Sequence, residues 1–218
     1  MRQNDYVFTL FDECHRLPAN SFSKLATIRT KYRMGLSASP YREDNRTNFI
    51  IALTGWPIGM DWRSMMQILG KEFHTVDVHI VATPAGKLVK AGELYRPGAK
   101  TAIFSDSIEV GAAIAKRLNL PHVHGGTSRR LDVIQNSKAF VASRVLDEGV
   151  SIGDLEHIIE VDFLGGSRRQ ELQRTGRLMH SQVGDSHHDI IMTRDEFDRF
   201  KGRLNSLTEK GFKVNVHT

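Results

Sequence analysis

The chain has 218 residues, room for one ordinary domain or two small ones, and its 40% apolar and 25% charged residues are a normal globular balance. No stretch approaches the roughly 20 apolar residues of a membrane-crossing helix, and residues 1–5 show no basic leader followed by an apolar signal region, so neither membrane nor secretion is expected. A single cysteine, Cys14, excludes an internal disulfide and fits a cytoplasmic protein (nucleoid-associated if prokaryotic), while a net charge of +5 permits a polyanionic partner without demonstrating one.

Short apolar runs alternate with amphipathic stretches, which predicts an α/β fold of parallel sheets with helices on both faces. Residues 6–11 (YVFTLF) read as a buried strand ending at Asp12, residues 22–29 as a helix, and 32–36 as the next strand. Trp56 and Trp62 are expected in a core or at an interface between lobes, more than as platforms for stacked bases. Residues 83–98, with Pro84, Gly86, Gly92, Pro97 and Gly98, read as a loop or linker. Two blocks of α/β character flank it, so two lobes are expected, residues 1–72 and 73–218. A strand over 101–104 precedes a helix over 107–118, whose spacing places Ile108, Ala112, Ala115 and Leu118 on one face. Then come a strand at 139–142, a strand at 157–161 with a helix at 168–178, and a strand at 189–192 with a helix at 195–207.

Four stretches carry chemistry. Asp12-Glu13-Cys14-His15 stands at the carboxyl end of the first apolar strand, where open α/β sheets bind ligands. Phosphoryl transfer needs a carboxylate there for Mg²⁺, a role that suits Asp12, and Glu13 could orient the attacking water. The alternative is an acidic strand-to-helix turn with Asp12 as a cap. Gly35-Leu36-Ser37-Ala38-Ser39-Pro40 follows the next strand with small hydroxyl residues that could touch the acidic loop. Residues 145–152 (VLDEGVSI) contain Gly149, which lets backbone approach a ligand closely. Residues 167–177 (SRRQELQRTGR) place Arg168, Arg169, Arg174 and Arg177 on one presumed helix. The planar guanidinium fork matches phosphate oxygens, although a basic DNA-facing or solvated helix reads the same way.

In this order the stretches resemble the superfamily-two helicases: residues 12–15 match the DEAD/H box, 37–40 the S-A-T-P motif, and 173–177 the Q-R-x-G-R motif. The closer resemblance is to the XPB-like DNA helicases, through the R-E-D triplet at Arg42-Glu43-Asp44, VLDEG at 145–149, the S-R-R-Q run at 167–170 and HGGTSR at 124–129. The resemblance implies two RecA-like lobes with ATP and Mg²⁺ between them and double- or single-stranded DNA as partner. On this sequence it implies Asp12 and Glu13 as the Mg²⁺ and water carboxylates, Gln173 and Arg174 at the nucleotide, and Arg177 as the arginine finger. Residues 147–151, with Gly149, would couple nucleotide to DNA, and Thr127, Ser128, Arg129 and Arg42 would contact the DNA backbone.

The sequence departs from that pattern in several places. It contains no G-x-x-x-x-G-K-[ST] loop to cradle phosphates, so an upstream half of the first lobe is an expected partner. His180 stands where a further arginine is usual, Ser151 where many relatives carry an acid, and residues 56–76 are too short for the inserted thumb. Three readings follow: a fragment of an ATP-dependent helicase, inactive alone; a half-motor that binds nucleic acid without hydrolysis; or the motor subunit of a restriction system. The histidines at 122, 124, 180, 187 and 188 show no recurring ligand spacing, so structural or solvated roles are expected.

Overall fold

The computed structural model describes residues 6–37, 46–70, 72–146, 152, 154–162, 168–179 and 186–218. They form two compact units, Met1–Met60 and Asp61–Thr218. The expected boundary was 72/73. The units divide earlier because Trp62 packs edge-to-face on Phe212, 5.9 Å between ring centroids, and joins the core of the second unit.

In the first unit, β1 (Tyr6–Phe11) pairs in parallel with β2 (Thr30–Gly35), with Tyr6 opposite Thr30 and Phe11 opposite Gly35. Expected as buried, β1 is instead mostly exposed: Val7 is 71% and Phe8 53% accessible, and only Phe11 is buried. Parallel strands bury themselves only when helices cover both faces. Here α1 (Thr47–Thr54) supplies Ile50 to a small core with Phe11, Cys14 and Leu17. The helix expected at 22–29 is a five-residue 3-10 turn, Ser23–Thr27, followed by β-branched Ile28 in extended backbone. Trp56 is 79% exposed, which excludes the core, one of the two places expected for it.

The second unit is a seven-stranded sheet in the order β5-β6-β4-β7-β8-β3-β9, parallel in every described pairing. Along the chain lie α2 (Trp62–Leu69), β3 (Thr75–Val81), α3 (Pro84–Leu94), β4 (Thr101–Ser105), α4 (Ile108–Leu118), β5 (His122–Val123), α5 (Arg130–Asn136) and β6 (Ala139–Ala142). After them come β7 (His157–Asp162), α6 (Arg168–Met179), β8 (His187–Thr193), α7 (Arg194–Lys210) and β9 (Lys213–His217). One face packs Ile103, Val141, Ile159 and Ile191 under α3 and α4. The other packs Phe104, Phe140 and Leu178 in one cluster and Val78, Ile190, Leu172 and Leu207 in another, under α5, α6 and α7. The result is a three-layer RecA-like fold. Central strands β4 and β6 are buried at every position, which is why they read as continuous apolar runs.

Two expectations need correction here. Residues 83–98 are mostly helix α3, not a loop: Thr83 caps it by accepting from the Gly86 N–H, and Pro84 occupies the first turn, where its missing N–H costs nothing. Helix α4 buries Gly111, Ile114 and Ala115, whereas Ile108 is 55% exposed. Gly111 is required because a Cβ there would lie 2.7 Å from the His122 ring. Among the described residues, no helix is long and apolar enough to cross a membrane.

Candidate active site

In the first unit the acidic box meets Leu36 and Ser37. Both leave the carboxyl ends of adjacent parallel strands, so Leu36 N–H donates to Phe11 O and Cys14 N–H to Leu36 O, each at 2.9 Å. His15 is buried, and its Nδ1 lies 2.8 Å from Ser37 Oγ and 3.1 Å from Glu13 Oε2. Close approach of the two segments demands Gly35, because a Cβ there would sit 2.7 Å from Cys14 Sγ. Burial pushes the Cys14 thiol pKa up, with the Glu13 and Asp12 charges adding to the effect. Asp12 stays exposed and accepts from the Glu13 N–H at 2.8 Å. Glu13 holds a left-handed backbone, φ +48°, uncommon for a non-glycine residue and a mark of functional sites when the surroundings enforce it. Ala38, Ser39, Pro40 and the Arg42-Glu43-Asp44 triplet lie outside the described residues.

In the second unit the site elements collect where the strand order reverses. The chain leaves β4 towards β5 on one side and β7 towards β8 on the other, so the crevice beyond β4 and β7 is the switch point that favours ligands. Asp106 and Asp162 stand there, joined by Asp106 N–H to Asp162 O at 3.2 Å and by Ser107 N–H to an Asp162 carboxylate oxygen at 2.9 Å. Helix α6 covers this end. At about 100° per residue, Gln170, Gln173, Arg174 and Arg177 occupy one arc of roughly 100° on it.

Within that arc the two arginines differ. Arg174, expected at the nucleotide, is fully buried: it donates to Glu160 at 2.6 Å and Asp106 at 2.7 Å, and its guanidinium lies 4.6 Å from the Phe104 ring centroid. It has no surface left for a ligand, because two carboxylates at the sheet draw it inward. Arg177 is half-buried and donates to the Leu146 carbonyl, while Gln173 is half-buried on the same arc. Arg168 and Arg169 belong to the first turn of α6, but their side chains lie outside the described residues, as do Gly149, Ser151 and His180.

The loop between β5 and α5 was expected to touch the DNA backbone. Thr127 Oγ1 accepts from the His124 N–H at 2.9 Å and donates to His122 O at 3.2 Å, so its hydroxyl shapes the loop from within. Ser128 and Arg129 are exposed, and Arg129 takes φ +48° at the start of α5.

Sequence reasoning missed the buried polar core behind α6. Glu160, on β7, is reached by Arg174, by Arg203 of α7 at 3.3 Å and by His188 of β8 at 3.0 Å. Burial alone would raise its pKa. The Arg174 charge, the His188 hydrogen bond and the Arg203 charge outweigh that and hold the carboxyl well below the usual range. A carboxylate inside the apolar run HIIEVD was the signal, since a charge on a doubly covered strand must be paired.

Comparison with known proteins gives the family. Residues 87–206 match the family model of the ERCC3/RAD25/XPB C-terminal helicase. A putative DNA 3'-5' helicase Rad25 of Haloarcula marismortui is 30% identical over 97% of this chain. The general transcription and DNA repair factor IIH helicase/translocase subunit XPB of Drosophila melanogaster is 27% identical over 100% of it. The chain spans 40% and 33% of those two proteins' lengths. Among solved structures, S. cerevisiae Dbp5 bound to RNA and ADP BeF3 aligns with 96% of this chain and 59% of its own at TM-score 0.71 and 12% identity. Mycobacterium smegmatis helicase Lhr bound to ssDNA and AMP-PNP covers 96% of this chain and 32% of its own at TM-score 0.67 and 18% identity.

Proposed function

Since the chain belongs to the ERCC3/RAD25/XPB C-terminal helicase family, we propose that it is the rear portion of an ATP-driven DNA helicase or translocase. Its phosphate-cradling loop would be supplied by sequence outside these 218 residues, which contain no G-x-x-x-x-G-K-[ST]. The observation that carries the reading is the His15–Ser37 contact, which joins the acidic box to the S-A segment at the carboxyl ends of neighbouring parallel strands.

The residues present fit a Mg²⁺–nucleotide site in kind. Asp12 offers an exposed carboxylate at a strand end, and its fold-back bond to the Glu13 N–H orients it. Mg²⁺ would supply charge neutralisation on the phosphates. Asp12 would hold it through water, and Glu13 would orient and deprotonate the attacking water. His15 Nδ1 lies between Glu13 and Ser37, so it would help to position both. From the second unit, Gln173 would face the nucleotide and Arg177 would meet charge developing on the transferred phosphoryl group. Arg174 holds their helix to the sheet instead. Ser128 and Arg129, with Arg42, would contact DNA phosphates, and Gly149 would allow close backbone approach to the nucleotide.

ATP hydrolysis by the 218-residue chain, with and without DNA, against the same chain extended upstream through a phosphate-binding loop, tests the proposal. The short chain should stay at background and the extended one should respond to DNA. DNA-stimulated turnover by the short chain refutes the fragment reading, and an inert extended chain favours a half-motor that binds without hydrolysing.

A further inference from the structure

The contacts of Asp106 run in two directions. Its carboxylate is fully buried beyond β4. On one side it accepts from Arg174 Nη2 at 2.7 Å and Gln170 Nε2 at 3.2 Å, both on α6. On the other its Oδ2 lies 3.7 Å from Nε of Arg144, on the 3-10 turn Arg144–Leu146. That turn also meets α6 directly, where the Arg177 guanidinium donates to the Leu146 carbonyl. The contacts therefore close a ring: Asp106 to α6, along α6 to Arg177, back to Leu146 and Arg144, and again to Asp106. Just before the turn, Ser143 N–H donates to the Val123 carbonyl at 3.0 Å, at the end of the strand that leads into the loop carrying Ser128 and Arg129.

We infer that Asp106 is a positioning residue that couples the β5–α5 loop to the Arg177 helix, by holding α6 and the turn Arg144–Leu146 on one carboxylate. The inference rests on the ATPase reading above. Two observations separate it from plain packing. Burying a carboxylate is expensive, and apolar side chains would attach α6 to the sheet at least as well. Arg174 also has Glu160 as a partner, so balancing its charge does not by itself require Asp106. What Asp106 adds is the link from α6 to the turn. A displacement of the loop, passed through Val123 and Ser143, would reach Arg177 by both arms of the ring.

The test compares Asp106→Asn, Arg177→Ala and the double variant in the complete protein, with ATP turnover measured with and without DNA. Asparagine keeps the size and one acceptor for Arg174. DNA-stimulated turnover should fall about tenfold or more in Asp106→Asn, with KM for ATP and affinity for DNA changed by less than about twofold. The double variant should be no slower than Arg177→Ala alone, because both lesions act on one arginine. Hydrogen exchange on the 218-residue chain gives a reading independent of activity. Asp106→Asn should hasten exchange at residues 144–146 and 170–178 and leave β4, β6 and β7 protected. Losses that multiply in the double variant, or exchange that rises throughout the sheet, assign Asp106 to stability alone and overturn the inference. Normal stimulation in Asp106→Asn beside a crippled Arg177→Ala overturns it while sparing the ATPase reading. Normal stimulation in Arg177→Ala overturns both.

Discussion

Replacing Arg174 with alanine should damage folding, whereas the same change at Arg177, three residues on, should not. Arg174 is wholly buried and its guanidinium joins Glu160, Asp106 and the face of Phe104. Truncation leaves two carboxylates under α6 without their principal cation, and breaking a buried pair from one side costs about 3–5 kcal/mol. Arg203 and His188 remain beside Glu160 and hold the loss towards the lower figure. Deleting the aliphatic stem adds a cavity term of the same sign. Against a total stability of roughly 5–15 kcal/mol for a domain, the second unit would be left marginal. Arg177→Ala removes a half-buried donor to the Leu146 carbonyl and should cost about 1 kcal/mol. Urea unfolding followed by far-ultraviolet circular dichroism and by Trp62 fluorescence measures both, since Trp62 packs on Phe212 in the same unit. Arg174→Lys should fall between them, because an ammonium cannot bridge two carboxylates as a fork does. Equal midpoints for Arg174→Ala and Arg177→Ala would refute the assignment of Arg174 to the core.

Further outcomes follow from other contacts. Burial, then the neighbouring His188 and His187, depress the His74 pKa from 6.5 to about 3, so its stability contribution is complete above the unfolded value and is lost as pH falls. Between pH 6.5 and 5 that loss is about 2 kcal/mol, and a thermal midpoint that stays level from pH 7.5 to 5 would contradict it. Glu160 and Asp189 have lowered carboxyl pKa values, the latter because hydrogen bonds from His157 and His79 outweigh burial, so both add acid sensitivity of the same sign at lower pH. Gly35→Ala forces a methyl against Cys14 and should cost about 1–3 kcal/mol in the first unit, visible as a lower urea midpoint. Arg129→Ala should weaken binding to DNA of any sequence and reduce the slope of log affinity on log salt by about one; an unchanged slope would remove it from the interface. In the complete protein, Arg177→Ala should lower DNA-stimulated turnover on the order of 10³-fold with little change in nucleotide binding.

Much of the fold was legible because parallel sheets write themselves plainly. TAIFS and AFVA read as strands since both their faces are covered, so every position is apolar or small. The errors have local causes. Pro84, Gly86 and Gly92 looked like a linker, yet proline belongs in a first helical turn and Gly92 lies close to Leu118 of α4. The helical face of α4 was half right: Ala115 and Leu118 join the core, but Ile108, its first residue, stays 55% exposed, and the slot at Gly111 is reserved by His122. β1 looked buried because apolar composition reports what a strand can cover, not what lies against it in this chain. β5, two residues long, carries too little pattern to be seen.

The site was legible to the level of motifs and no further, and the two aspartates show why. Asp12 and Asp106 each follow an apolar strand, and by sequence either could receive a cation. Asp12 remains exposed, with the backbone of Glu13 as its bonded neighbour. Asp106 is enclosed, because α6 crosses the end of β4 and lowers Arg174 and Gln170 onto it. The same helix decides between its arginines. Arg174 and Arg177 lie about 60° apart around the axis, a difference no short motif encodes. Glu160, placed mid-strand beneath α6, converts that angle into opposite fates, one guanidinium fixed in the core and the other half-buried on the Leu146 carbonyl. The carboxylates under the helix thus set a wholly buried arginine apart from a half-buried one three residues on. Glu160→Gln with Asp106→Asn should therefore loosen Arg174 without recruiting it, since a guanidinium enclosed on all sides has no path to the crevice. If an Arg177→Ala protein regained DNA-stimulated turnover on adding those two changes, Arg174 would have taken its place, and the division of labour drawn from its burial would be wrong.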